Sequence, residues 1–274
     1  MRNWGVFVFI FMLMGAFSCG NTKPQKDDGQ IVIKTEYGNI KIKLYEKTTE
    51  HKKNFEKLVN EGFYNELLFH RVIQNFMIQG GDPDSKNAEP GKMLGGGSLE
   101  YTLPAEILPE YYHKRGAVAA ARRGGPSNPE KRSSSSQFYI VQGRNFSEGA
   151  LDTLEMAKNQ QLITEMMREQ FTAAQAEIEQ FRTNNDRDGF NQKVAEIREQ
   201  VDSLIDAREL GFKFTPEQRE IYTTIGGYPS LDGDYTVFGE VIEGMDVVDK
   251  IAAMETDPNN RPLQDVKMEI EMIK

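Results

Sequence analysis

The chain has 274 residues, 38% hydrophobic and 27% charged, with a formal net charge of −9. That length and polarity fit one large globular domain or two small ones. The negative balance excludes a nucleic-acid binder, which needs a basic face. A single cysteine, Cys19, excludes an internal disulfide and a cysteine zinc site, and none of the three histidines sits at helical metal-ligand spacing. No metal or cofactor is expected.

The N-terminus reads as an export signal. Arg2 precedes an apolar run from Asn3 to Phe17, shorter than the ~20 residues of a membrane span. Ala16-Phe17-Ser18-Cys19-Gly20 resembles a bacterial lipoprotein cleavage site, although Ala16 replaces the usual Leu and Phe17 is bulky. The reading is a signal peptide over 1–18, a lipid on Cys19 and a polar tether over 19–30. It implies a membrane-anchored protein exported to the periplasm of a bacterium. An ordinary signal peptide or an uncleaved anchor is the alternative.

Residues Gln30 to Tyr45 read as a hairpin. Ile31, Ile33 and Thr35, then Ile40, Ile42 and Leu44, alternate with polar neighbours, and Gly38-Asn39 is the expected turn. A helix is expected from Thr49 to Glu61, with Phe55, Leu58 and Val59 as its apolar stripe and Gly62 as its stop. Short strands follow at Leu67–Gln79, Gly116–Ala121, Gln137–Val141 and Tyr235–Ile242. Met245–Ala253 reads as a helix and Met268–Ile273 as a last strand. Short alternating strands with few helices predict an antiparallel sheet closed into a barrel.

One region departs from this pattern. From Ser147 to about Arg182, apolar residues recur near helical spacing. After a polar turn, Phe190, Val194, Ile197, Val201 and Leu204 recur at intervals of 4, 3, 4 and 3. That predicts an antiparallel helical hairpin inside an insertion over 144–222. Its first arm would be on the order of 50 Å long. Thr215-Pro216 predicts a short helix with Thr as N-cap.

The segment Phe69-His70-Arg71-Val72-Ile73-Gln74-Asn75-Phe76-Met77-Ile78-Gln79-Gly80-Gly81-Asp82 resembles the signature of the cyclophilins. Three further blocks resemble that family, in family order: Gly116 to Arg122, Ser136 to Ile140, and Leu231 to Gly239. The resemblance covers Ile31 to Ile273 apart from the helical hairpin. It implies a domain over 31–274, mostly β: an eight-stranded antiparallel barrel capped by two helices. It also implies peptidyl-prolyl cis–trans isomerase activity on proline-containing unfolded or exported proteins. A cyclophilin-fold chaperone or binding module without turnover is the alternative.

The implied chemistry is specific. Rotation about a peptide bond is opposed by roughly 18–20 kcal/mol, and X-Pro isomers exchange in tens to hundreds of seconds. The resemblance makes Arg71 the catalytic residue. Phe76, Met77, Tyr139 and Leu231 would cup the proline ring. Gln79 would orient Arg71 and the substrate backbone. Ala121, Arg122 and Gln137 would contact the chain before proline, with His70 and Tyr235 also placed in the binding site. The family often has Phe where this chain has Tyr139, and Trp and His where it has Ser230 and Tyr235.

Three other signals are set aside. Gly95-Gly96-Gly97-Ser98 lacks the lysine of a phosphate loop and reads as a backbone turn. Asp82-Pro83-Asp84 begins like a calcium loop but continues with Lys86 and Met93 at ligand positions. Ser133 to Ser136 reads as a flexible loop. The helical hairpin leaves after Tyr139 and returns before Leu231. It is expected either to stand beside the cleft and hold client proteins, or to be a decorative or oligomerising insertion.

Overall fold

A computed structural model describes residue 1 and residues 30–207 and 210–273. The expected signal segment and Cys19 lie outside the described residues. The first hairpin pairs β1 (Gln30–Thr35) with β2 (Gly38–Leu44). Ile31, Ile33, Ile40, Ile42 and Leu44 are all buried, as their alternation predicts. The turn lies earlier than expected. The chain reverses at Glu36-Tyr37, and Gly38 already pairs with Thr35. Thr35 supplies the reason: its hydroxyl donates to the Gly38 carbonyl at 2.9 Å and accepts from the Tyr37 N–H at 3.1 Å.

Helix α1 (Thr49–Asn60) buries Phe55, Leu58 and Val59 against the barrel core. Thr48 makes no side-chain cap. Glu106 takes that role from a distance, accepting the N–H groups of Glu50 and His51 at 3.1 and 3.0 Å. A carboxylate there satisfies orphan donors and complements the helix dipole.

The expected strand Leu67–Gln79 is two strands, β3 (Leu67–Ile73) and β4 (Met77–Gly80). Asn75 adopts a φ of 62° in the turn between them, a conformation Asn tolerates better than most residues. The Gln142 side chain accepts its N–H at 2.6 Å. Apolar residues on both sides of Gln74-Asn75 mask this turn in the sequence.

β5 (Thr102–Leu103) and β7 (Ser133–Ser134) form a small separate sheet, flanking β6 (Ala117–Ala120) in the sequence. The expected flexible loop at Ser133–Ser136 is therefore corrected. Ser133, Ser135 and Ser136 are buried, and the Ser134 N–H donates to the Ala121 carbonyl at 2.7 Å. β8 (Phe138–Val141) follows.

The helical segment comes next: α2 (Glu148–Ala173), α3 (Gln175–Thr183), α4 (Arg187–Ala207) and α5 (Pro216–Thr224). The hairpin forms, with α2 and α3 against α4. Its first arm is broken at Ala174, whose N–H bonds to Gln170 and Thr172 carbonyls. Leu151, Ile178, Ile197 and Val201 are its buried residues; two helices side by side can bury only one stripe each. α5 begins with the expected Thr215 cap, completed by Gln218 in a reciprocal capping box.

β9 (Val237–Glu243), α6 (Met245–Ala252) and β10 (Lys267–Met272) complete the chain. Eight strands close a barrel in the order β1-β10-β3-β4-β8-β6-β9-β2, all neighbours antiparallel. Ile78, Val118, Phe138, Ile140 and Phe238 fill its interior, and α1 and α6 pack on the same core. Alternate residues of the same strands, Met77, Ala119, Tyr139 and Val237, form a second apolar cluster on the outer face.

Candidate active site

The outer cluster is the floor of a cleft of about 310 Å³. The β3–β4 register sets Arg71 opposite Gln79, and the β4–β8 register sets Gln79 opposite Tyr139. Three side chains from three neighbouring strands therefore point the same way. Arg71 Nη1 donates to Gln79 Oε1 at 3.1 Å. Gln79 Nε2 donates to Gln137 Oε1 at 3.1 Å. Gln137 Nε2 in turn donates to the carbonyls of Gly95 and Gly97, at 3.2 and 2.7 Å.

Arg71 makes no other side-chain hydrogen bond to the described residues. Its guanidinium carbon lies 5.8 Å from the Phe76 ring centre. Burial lowers its pKa, but an arginine stays charged in proteins. The cleft thus holds a half-buried cation with unused donors beside apolar walls.

Those walls are Phe76, Met77, Tyr139 and Leu231, with Ala121, Arg122 and Tyr235 on the far side. Phe76 leans on Tyr228 at 4.2 Å between ring centres. The Arg122 guanidinium covers the Tyr235 ring at 4.5 Å, and its Nε donates to the Asp234 carbonyl at 2.7 Å. That pairing holds Tyr235 upright at the rim and leaves the aliphatic part of Arg122 as wall. Burial raises the Tyr139 hydroxyl pKa well above the usual range, so the phenol stays protonated.

Nine of the expected site residues meet in this cleft: Arg71, Phe76, Met77, Gln79, Ala121, Arg122, Tyr139, Leu231 and Tyr235. Two do not line it. His70 is buried beneath Gly95; a methyl group on Gly95 would sit 3.6 Å from its Nε2. Phe69 and Val72 both belong to the barrel core, and the β3–β4 pairing shifts between Phe69 and Arg71. Strict alternation is broken there, and the glycine loop covers His70 while Arg71 stays half exposed. Gln137 is also buried and acts through Gln79 and the glycine loop.

Leu94 and Gly95 line the cleft and were not expected there. The glycine run is more than a turn. Asp82 accepts the N–H groups of Gly95 and Gly97, and Gln137 holds their carbonyls. A Cβ on Gly97 would lie 2.0 Å from Asp82 Oδ1. The glycines allow the loop to press onto that carboxylate. Three consecutive glycines were the available signal, but only the fold shows what they approach.

Comparison with known proteins agrees with this geometry. The family described as cyclophilin type peptidyl-prolyl cis-trans isomerase/CLD matches residues 30–162 and 215–271. The stretch left unmatched between them, 163–214, holds the end of α2 and all of α3 and α4. A Staphylococcus saprophyticus protein, provisionally named a peptidyl-prolyl cis-trans isomerase, is 28% identical over 261 residues, covering 93% of this chain and 96% of that protein. A Streptococcus pyogenes protein provisionally named a bifunctional phosphatase/peptidyl-prolyl cis-trans isomerase is 28% identical over 244 residues. The match covers 88% of this chain but only 37% of that larger protein. A crystal structure of a cyclophilin type isomerase from Cryptosporidium parvum superposes with a TM-score of 0.51 at 19% identity, covering 90% of this chain and 98% of that one. With the family matched along both halves of the barrel, the chain belongs to the cyclophilin-type peptidyl-prolyl cis-trans isomerases.

Proposed function

We propose that Arg71 accelerates X-Pro isomerisation by donating a hydrogen bond to the prolyl nitrogen as the amide twists. In the planar ground state that nitrogen shares its lone pair with the carbonyl and accepts poorly. At the half-rotated transition state the lone pair is free. A donor that gains strength only there lowers the barrier rather than merely binding substrate. No covalent bond forms or breaks, so no acid, base or metal is required of the residues in the cleft.

The observation that carries this reading is the placement of the Arg71 guanidinium. One of its nitrogens is held by Gln79, and it stands beside the Phe76 ring at the edge of the apolar cup. Phe76, Met77, Tyr139 and Leu231 would hold the proline ring. Ala121, Arg122 and Tyr235 would meet the residues before it. Gln79 would keep the guanidinium from rotating out of line. A protease-coupled proline-isomer assay on a short peptide tests the proposal. Arg71→Ala should fall towards the uncatalysed rate; equal rates for variant and wild type would reject it.

We further infer that the clients are exported proteins and that Cys19 carries a lipid anchor. The support is the apolar segment behind Arg2 and the lone cysteine after Ser18. Acyl chains on Cys19 would keep the barrel at a membrane surface through their buried methylenes. Incorporation of labelled palmitate into wild type but not Cys19→Ser is the expected result. Equal labelling of both would reject the anchor.

A further inference from the structure

The hydroxyl of Tyr139 does not project into the cup. It lies 2.9 Å from Nε2 of His113, behind the cleft. Nδ1 of His113 lies 2.9 Å from Oδ1 of Asp232. Asp232 Oδ1 also accepts the His113 backbone N–H at 2.8 Å, and its Oδ2 accepts the Tyr222 hydroxyl at 2.5 Å. All four residues are buried. Two belong to the cup or adjoin it, since Asp232 follows Leu231. Tyr222 belongs to α5, in the helical segment between β8 and β9. From α2, Lys158 donates to the Asp232 carbonyl at 2.8 Å.

The proton positions follow from the chemistry. A carboxylate can only accept, so His113 carries its proton on Nδ1. In the neutral ring Nε2 then accepts from the Tyr139 hydroxyl. The imidazole also lies nearly parallel to the Tyr139 ring, at 13°. Each group in the chain is thereby satisfied, which a buried network needs to hold one geometry.

We propose that His113, Asp232 and Tyr222 are positioning residues for the proline cup, through which the helical segment sets how firmly the cup grips the proline ring. Asp232 holds two walls at once: Tyr139 through His113, and Leu231 as its chain neighbour. Tyr222 and Lys158 hold Asp232 from the helices. The inference rests on the isomerase reading of the cleft. A phenylalanine in place of Tyr139 would keep the ring and remove the link, so the hydroxyl has a purpose outside substrate contact.

The test measures kcat and KM separately on an X-Pro peptide, using the full chain as wild type, Tyr222→Phe, Tyr139→Phe and the double variant. Cup contacts are made in ground and transition states alike, so their loss should raise KM and spare kcat. Each single variant should raise KM about three- to tenfold with kcat within about twofold. The double variant should match Tyr139→Phe, because either change cuts the same chain. An unchanged KM in Tyr222→Phe, or multiplying effects in the double variant, would overturn the proposal. Nitrogen NMR of histidine in the wild type checks it without any variant: Nδ1 protonated and Nε2 bare is expected, and the reverse tautomer would overturn it. Arg71→Ala separates the two readings. If it keeps wild-type turnover, the isomerisation mechanism fails. If it is inactive while Tyr222→Phe keeps a normal KM, only the positioning role fails.

Discussion

Arg71 and Gln79 face each other across the β3–β4 hairpin, joined by a 3.1 Å hydrogen bond from guanidinium to amide oxygen. Seven residues lie between them, the inner ends of the two strands and one tight turn, so the pair is set by backbone register rather than by loop flexibility. Gln79 passes the restraint on to Gln137, and Gln137 passes it to the glycine loop over the cleft. The cation is therefore preorganised before substrate arrives.

Arg71→Ala removes the charged donor that stands beside Phe76 in the cup. One preorganised donor in a partly dry site contributes about 3–4 kcal/mol to a transition state. The expected loss in kcat/KM is about two to three powers of ten. Arg71→Lys should also lose most of it, because an ammonium cannot bond Gln79 and the prolyl nitrogen in one fixed plane. The peptide isomerisation assay gives both numbers.

Gln137→Ala cuts the link between the catalytic pair and the roof. It frees Gln79 Nε2 of its partner and leaves the carbonyls of Gly95 and Gly97 without theirs. A lost hydrogen bond to a buried group costs about 1–3 kcal/mol. Turnover on a peptide should drop about tenfold, with faster amide exchange at Gly95–Gly97. Unaltered exchange there would show that Gln137 does not hold the loop.

Gly81→Ala should destabilise the barrel by more than about 2 kcal/mol. Gly81 adopts a φ of 85°, and a Cβ there would lie 2.1 Å from the Ser136 carbonyl oxygen. A backbone atom cannot swing aside as a flexible side chain can. Gly124→Ala, with nothing within 4 Å of the added carbon, is the matched control and should leave Tm within a few degrees. Thermal unfolding of both variants makes the comparison.

His70 supplies a pH dependence of stability. Burial pushes its pKa down from 6.5 to about 4, against the pull of Asp82; Arg71 and Arg261 also disfavour its charge. The unfolded chain binds this proton below pH 6.5, while the folded chain resists until about pH 4. Stability is therefore full above 6.5 and falls as pH drops through that window, by roughly 3 kcal/mol. Urea unfolding at pH 7, 5.5 and 4 should show a shallower decline in His70→Leu than in wild type. His51, also lowered by burial, contributes to both proteins and cancels in the comparison.

Local pattern carried much of this protein into view. Period-two alternation marked β1, β2 and β10, and helical spacing marked the inserted hairpin. The Arg71, Phe76, Met77 and Gln79 spacing, read through its family resemblance, marked the catalytic strand pair. Such signals are local, because a strand or helix writes its buried face into its own few residues. Local pattern missed the turn at Asn75 and the buried setting of Ser133–Ser136, where neighbours in the fold override propensity. The family resemblance also placed His70 in the cleft, where the loop at Gly95 covers that ring instead. What only the tertiary structure decided is the long-range set: Glu106 capping α1, Asp82 and Gln137 holding the glycine loop, and the line from Tyr139 through His113 and Asp232 to Tyr222. These partners lie from 10 to 119 residues apart. A hydrogen bond depends on atoms meeting at about 3 Å, and barrel closure, not sequence order, determines which atoms meet.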